Sequence, residues 1–150
     1  MIRYESAGRV SASAVRAIQE EAAAVERRWW RGALGLDAEG EGRPAVLRGR
    51  TPLFHAQGVP DEDDLFLAFA DALFILHRLA DWAGRFGIKW RVWMNDEDWG
   101  AVDPGGPTRP LVEQMDKWAG RAGAARVGKR DWEVSESRRG ELLDRYGGGR

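Results

Sequence analysis

The stretch from Pro60 to Gly87, PDEDDLFLAFADALFILHRLADWAGRFG, decides the fold. Asp61 suits a helix N-cap, and Glu62, Asp63 and Asp64 follow it where the helix dipole is positive. From Leu65 to Phe86 nearly every residue is apolar, and Gly87 supplies a stop. Asp64, Asp71, Arg78 and Arg85 recur at every seventh position, which aligns them on one face. A helix apolar over so wide an arc has to be buried. Residues 61–86 are therefore expected to form the spine of the domain, about 37 Å long at a rise of roughly 1.5 Å per residue. Phe69, Leu73, Leu76 and Ala80 are its expected core positions.

Beyond Gly87, Ile88, Trp90, Val92 and Met94 alternate with Lys89, Arg91 and Trp93, the pattern of a half-buried strand. Asn95 to Glu97 predicts a turn and Asp98 to Val102 a return strand, giving a β-hairpin over 88–102. Asp103-Pro104-Gly105-Gly106-Pro107 ends it. Thr108 then caps a third helix around 109–119 whose inner face is Leu111, Met115 and Trp118. A strand around Trp132 and Val134, a helical turn over Glu141 to Tyr146 and a flexible tail at 147–150 complete that half. Towards the N-terminus, Ile2 and Tyr4 predict a short edge strand. Val15, Ile18, Ala22, Val25 and Trp29 form the narrow stripe of an amphipathic helix, capped by Ser11 or Ser13 and stopped at Gly32. Residues 32–60 hold six glycines and three prolines. They are expected to be mostly loop, wrapped over the surface or forming an edge, with a short strand at Ala45 to Arg48. The chain is thus expected to be a single α+β domain over 1–150. Its long buried central helix and two further helices pack on a small, mainly antiparallel sheet.

Composition narrows the function classes. A length of 150 residues suffices for one core without staples, and the absence of cysteine removes disulfides, thiolate metal sites and a cysteine nucleophile. The N-terminus lacks the apolar run of a signal peptide, and the longest apolar stretches are too short to span a bilayer. A cytoplasmic protein without a membrane role is expected. The net charge is −1, divided as −4 over 1–118 and +3 over 119–150. Neither part has the strong basic excess expected of a duplex-DNA binder.

Eight tryptophans are the chain's compositional signature, and most have a charged sequence neighbour, which suggests rings near the protein–water boundary. The acidic run Asp61 to Asp64 is explained by helix capping without a metal. Asn95-Asp96-Glu97-Asp98-Trp99-Gly100 fails as a calcium loop, because Trp99 occupies a ligand place and no Glu closes a twelve-residue loop. What remains is a hairpin tip with three carboxylates, Asp96, Glu97 and Asp98, flanked by Trp93 and Trp99. Its simplest account is a solvated turn. Its functional account is an acidic, aromatic patch that binds a basic partner. His77 stands four residues before Asp81, an arrangement that could orient an imidazole in a pocket wall. No nucleophile elbow, zinc-protease or phosphate-loop motif accompanies it, and a hydrogen-bonded structural histidine is the simpler account. His55 lies in a loop. Arg27-Arg28-Trp29-Trp30-Arg31 holds the ingredients for single-stranded nucleic acid, although Trp29 continues the core stripe of its helix.

The long apolar helix closing in Phe86-Gly87-Ile88-Lys89-Trp90-Arg91-Val92, the hairpin with Asp98-Trp99-Gly100, and the Pro/Gly turn before another helix form a distinct layout. Over roughly 61–120 it resembles that of small bacterial immunity proteins, which neutralise polymorphic toxins. The resemblance implies a protein partner, a toxin domain, and carries no functional residue across. The first expectation is therefore a non-catalytic protein-binding module without cofactor or metal, which the resemblance implies is an immunity-type inhibitor of a basic toxin domain. Its expected binding residues are Trp93, Asp96, Glu97, Asp98 and Trp99. The alternative is a small-molecule binder or enzyme with a Trp-lined pocket at His77 and Asp81, and the third is a single-strand nucleic-acid module.

Overall fold

The chain runs β1 (Ile2–Ser6), α1 (Ala12–Glu26), β2 (Asp37–Ala38), β3 (Leu47–Thr51), α2 (Glu62–Phe86), β4 (Trp90–Met94), β5 (Glu97–Asp103), β6 (Gly106–Pro107), α3 (Arg109–Ala122), β7 (Ala125–Val127) and β8 (Asp131–Glu133). The structure is a computed structural model that describes residues 1–27, 34–38, 42–55, 58–123, 125–127 and 131–133. Six strands form one antiparallel sheet in the order β2-β3-β1-β4-β5-β6, and β7 pairs with β8 separately. The architecture is α+β, as the sequence patterning implies.

The spine helix starts and stops where its sequence dictates. Asp61 and Asp64 form a reciprocal capping box, each side chain accepting from the other's backbone N–H at 2.9 and 3.1 Å. Gly87 ends α2 in the left-handed region at φ +66°, a conformation glycine takes without a Cβ penalty. Phe69, Leu73 and Leu76 are buried in the main core with Phe66, Leu67, Ile75, Leu79 and Trp82. Ala80 is only half-buried, because the exposed face of the helix runs through His77, Asp81, Gly84 and Arg85 beside it. The polar row recurring every seven residues is buried in its first half and exposed at its end, Arg85. Asp64 and Asp71 are buried, the first in the capping box and the second accepting from the Phe54 N–H at 2.7 Å. Asp71 thereby fastens the segment after β3 to the helix.

Two strands differ in position from expectation. β1 is no edge: it lies between β3 and β4, with Arg3 across from Arg50 on one side and Trp93 on the other. β3 is likewise internal, flanked by β1 and β2, so part of the glycine-rich 32–60 segment is sheet interior. Gly49 fits there because a Cβ would overlap the Tyr4 ring across the pair. At Gly49 the glycine that signals a loop in sequence marks close packing instead. The hairpin spans Trp90 to Asp103 and continues through a Pro104-Gly105 turn into β6. Ser11 caps α1, accepting from the Ala14 N–H, and Val15, Ile18 and Ala22 are buried. Thr108 sits at the N-cap of α3 but spends its hydroxyl on the Ala101 N–H at 3.0 Å. Trp29, Gly32, Val134, the 141–146 turn and the 147–150 tail lie outside the described residues.

Buried strand positions Ile2, Tyr4, Leu47, Trp90, Val92 and Met94 share one core with residues of all three helices. The helices thus cover one face of the sheet. Tyr4 donates from its hydroxyl to the Leu34 carbonyl, while the Leu34 N–H donates to Glu26 at 2.8 Å. Burial, and secondarily the nearby Glu26 carboxylate, pushes the Tyr4 phenol well above its ordinary value of 10.0.

Leu73→Ala should cost about 2–5 kcal/mol in urea unfolding, from lost transfer energy and the cavity left behind. A melt within about a degree of the parent would displace Leu73 from the core. Because the folded state raises the Tyr4 pKa, its neutral form contributes stability that is present below the unfolded-state value. That stability is lost as pH rises above about 10. Tyr4→Phe should lower stability at neutral pH by about 1–3 kcal/mol, by leaving the Leu34 carbonyl without its donor. The same substitution should flatten the alkaline limb of a stability–pH curve. An unchanged alkaline slope would contradict this assignment.

Candidate partner-binding face

Along each central strand, charged residues alternate with core residues, and they populate the face that the helices leave uncovered. Arg3 and Glu5 come from β1, Arg48 and Arg50 from β3, Arg91 and Trp93 from β4. The four arginines are exposed, whereas Glu5 and Trp93 are half-buried. The register sorts these side chains into two rows across the strands. The first is Asp37, Arg48, Glu5 and Arg91, with signs alternating from strand to strand, and Arg48 lies 3.5 Å from Glu5. Opposite charges face each other there, as a stable sheet surface prefers. The second row is Arg50, Arg3, Trp93 and Asp98. It starts with two arginines side by side and ends in a carboxylate.

Trp93 is the indole of this open face. The Arg3 guanidinium carbon stands 4.4 Å from its ring centroid and that of Arg91 5.3 Å, both within cation–π range. Trp99 is on the other side. A β-bulge between Val92 and Trp93 pairs Val92 with Gly100 and Trp93 with Asp98, leaving Trp99 as the extra residue. The Asp98 carboxylate accepts from the Gly100 N–H at 2.9 Å, and Gly100 takes φ +113°. A Cβ at Gly100 would stand 2.7 Å from Thr108 Oγ1, so only glycine fits the bulge against α3. Trp99 consequently packs on the core, edge-on to Trp118 at 5.9 Å, with its Nε1 buried. Position either side of the acidic turn groups Trp93 with Trp99 in the sequence, but the bulge separates them in space.

At the tip, Asn95 and Asp96 both take positive φ, 49° and 66°, in a two-residue turn. This is the backbone for which Asn is a preferred first residue. The Met1 ammonium donates to Asn95 Oδ1 at 2.7 Å and the Asn95 N–H to the Met1 carbonyl at 3.0 Å, tying the chain start to the tip. Asp96, Glu97 and Asp98 are all exposed. The hairpin itself accounts for two of them, Asp96 in the turn and Asp98 in the bulge. The surplus of acid is smaller than the sequence suggested.

His77 and Asp81 lie on the exposed face of α2. Asp81 is committed to Arg85 at 3.0 Å, and Arg85 also grips Glu21 of α1 through two hydrogen bonds of 2.5 and 3.1 Å. The bonds to Glu21, then Asp81, hold the guanidinium pKa above its ordinary value. This network joins α1 to α2 at the surface and converges on no cavity among those described. The His55 side chain is also exposed. Among the described residues no group of three or more His, Asp or Glu could hold a metal ion, and no helix is long and apolar enough to cross a membrane. Trp82, Trp90 and Trp118 are buried at 2, 0 and 7% exposure, so their charged sequence neighbours face away while the rings fill the core. Arg28, Trp30 and Arg31 lie outside the described residues.

The chain matches no protein-family model, no curated protein and no solved structure.

The site residues that sequence reasoning missed are Arg3, Glu5, Asp37, Arg48, Arg50 and Arg91. Their signal was present as period-two alternation in Ile2-Arg3-Tyr4-Glu5 and Leu47-Arg48-Gly49-Arg50. Placement of the two rows can be checked optically. Trp93→Phe should reduce quenching by iodide more than quenching by caesium, because two guanidinium groups attract the anion to that ring. Trp99→Phe should change both less. Equal effects of the two substitutions would contradict the separation of Trp93 and Trp99 onto opposite faces.

Proposed function

We propose that this chain is a non-catalytic protein-binding module that contacts its partner through the open sheet face and the adjoining hairpin tip. The observation that carries this reading is Trp93, held on the uncovered face between Arg3 and Arg91. Tryptophan and arginine are the residues most enriched among binding hot spots, because both bury a broad flat surface and keep a directional polar group. A half-exposed indole ringed by guanidinium groups contributes little to the core of this protein. It becomes fully desolvated only when a second surface closes over it. Asp98 across from Trp93, with Asp96 and Glu97 at the exposed tip, adds a negative end that favours a basic segment of the partner. Trp99 supports that end from beneath, as packing. An inhibitor that masks a basic toxin domain is the form of this reading that the immunity-protein layout implies, and it would act in the cytoplasm.

A Trp-lined pocket at His77 and Asp81 gains no support, since Asp81 is occupied by Arg85 and both residues sit on an exposed helix face. Capture from a lysate of the native host should yield one stoichiometric protein with the parent chain. Trp93→Ala should weaken that complex by about 2 kcal/mol or more while leaving the fold intact. Asp96→Asn combined with Glu97→Lys should slow association and reduce its salt dependence. Asp96 is best replaced by Asn because the turn needs a positive φ. A complex that forms at unchanged rates with all these variants would remove this face from the interface.

A further inference from the structure

Arg3 and Arg50 stand directly across from each other on adjacent strands, two like charges in a position where sheets normally place opposite ones. Neither has a carboxylate partner among the described residues. They border a groove of about 470 Å³ that also includes Arg48, Glu5 and Asp37. Both carboxylates of that groove are already engaged. Glu5 pairs with Arg48 at 3.5 Å, and Asp37 sits across from the same Arg48 while accepting from the Ala38 N–H at 2.9 Å. Arg3 is braced against Trp93, so its guanidinium is held in place before any ligand arrives. Resting on the protein-binding reading above, we propose that Arg3 and Arg50 form a receptor for a carboxylate group on an acidic segment of the protein partner.

Three observations select an acidic peptide over a nucleic acid. First, the surroundings are not uniformly basic. Glu5, Asp37 and Asp98 lie on the same face, which suits one or two discrete carboxylates and opposes a continuous phosphate backbone. Second, Trp93 is the one aromatic ring in these two rows, whereas single-strand binding stacks successive bases on several rings. Third, the row from Asp98 through Trp93 and Arg3 to Arg50 crosses four neighbouring strands. At about 4.8 Å per strand it extends roughly 14 Å from negative to positive. A partner complementary to that row presents a basic group towards the hairpin and an acidic one towards β3, with an apolar contact between them.

The test is a titration of the ¹⁵N-labelled protein with a glutamate-rich peptide, following the arginine Nε–H signals. A single-stranded oligonucleotide of equal charge and inorganic phosphate serve as the other probes. The peptide should shift the Arg3 and Arg50 signals saturably. Arg50→Gln should weaken peptide binding about tenfold, the worth of a charge-assisted hydrogen bond to a carboxylate. Arg50→Lys should recover only part of that loss, because an ammonium lacks the planar fork. Arg48→Gln should change affinity much less, since Arg48 is paired with Glu5. Arg50→Gln should also melt no lower than the parent, because it removes a like-charge contact. No saturable shift with the peptide would overturn the proposal. So would equal losses in Arg48→Gln and Arg50→Gln, tighter binding of the oligonucleotide or of phosphate, or destabilisation of Arg50→Gln. If the peptide fails while partner capture still depends on Trp93, this receptor falls and the protein-binding reading stands. If the peptide binds while capture is indifferent to Trp93, the assignment of the partner has failed instead.

Discussion

Trp82 on α2 meets Trp90 on β4 at 6.2 Å between ring centroids, and Trp90 meets Tyr4 on β1 edge-on at 6.4 Å. This line of three buried rings fastens the spine helix to the two central strands. It also locks their register, because a slip by one residue would turn every core side chain of a strand to the other face. Everything on the open face is therefore fixed by what is buried beneath it. Trp90 facing inward places Arg91 and Trp93 outward, and Tyr4 facing inward places Arg3 and Glu5 outward. A second aromatic group, Phe69, Trp118 and Trp99, does the same work between α2, α3 and β5. The helices are spent on one side of the sheet, and the charged rows on the other side are the consequence.

The parts of this fold that could be read from the sequence are those governed by local chemistry. The limits of α2 follow from Asp61, Asp64 and Gly87, and the hairpin follows from alternation on either side of Asn95-Asp96. The parts that could not be read depend on contacts between distant residues. β1 is central because β3 and β4 both pair with it, over separations of tens of residues, and nothing in Ile2 to Ser6 announces two neighbours. β3 could be read only as a short strand at Ala45 to Arg48, because Gly49 signals a turn in isolation although it is there to admit the Tyr4 ring, and the strand runs on to Thr51. The candidate site suffered most. Trp93 and the tip carboxylates were visible as residues, but their arginine neighbours come from β1 and β3 and appear only once the register is known. Trp99, grouped with the tip by its place in the sequence, turns onto the core for a related reason. A bulge adds one residue to a strand, and its markers here, Gly100 at positive φ and the Asp98 side chain on its N–H, acquire meaning only in three dimensions.

The two rows of the open face differ in how they balance their charge. Asp37, Arg48, Glu5 and Arg91 alternate in sign across the strands, with Arg48 and Glu5 3.5 Å apart, as a sheet face in water prefers. Arg50, Arg3, Trp93 and Asp98 do not alternate, and the adjacent arginines make the row less favourable than it would be with one neutral residue. Such a local conflict inside an otherwise consistent surface is where selection for something other than stability is expected to show. The cation–π contacts to Trp93 offset part of the cost and keep the side chains ordered, which lowers the entropy a partner must remove on binding.

How a partner approaches is constrained by the rims of the same sheet. Exposed edges are a common docking route, since unpaired backbone groups accept an added strand. Here both ends of the sheet are blunted: β2 is only the pair Asp37–Ala38, and β6 is only Gly106–Pro107, whose proline has no N–H to offer. Two residues present too few backbone groups to align an incoming strand. β1 and β4, which carry Arg3, Arg91 and Trp93, are paired on both sides, so their backbones offer no bonding positions, whereas β3 pairs with β2 only at Leu47 and Arg48. Recognition around Arg3 and Trp93 must then run through side chains meeting the partner face-on. Its specificity rests on the order of charges and the single indole along a row about 14 Å long.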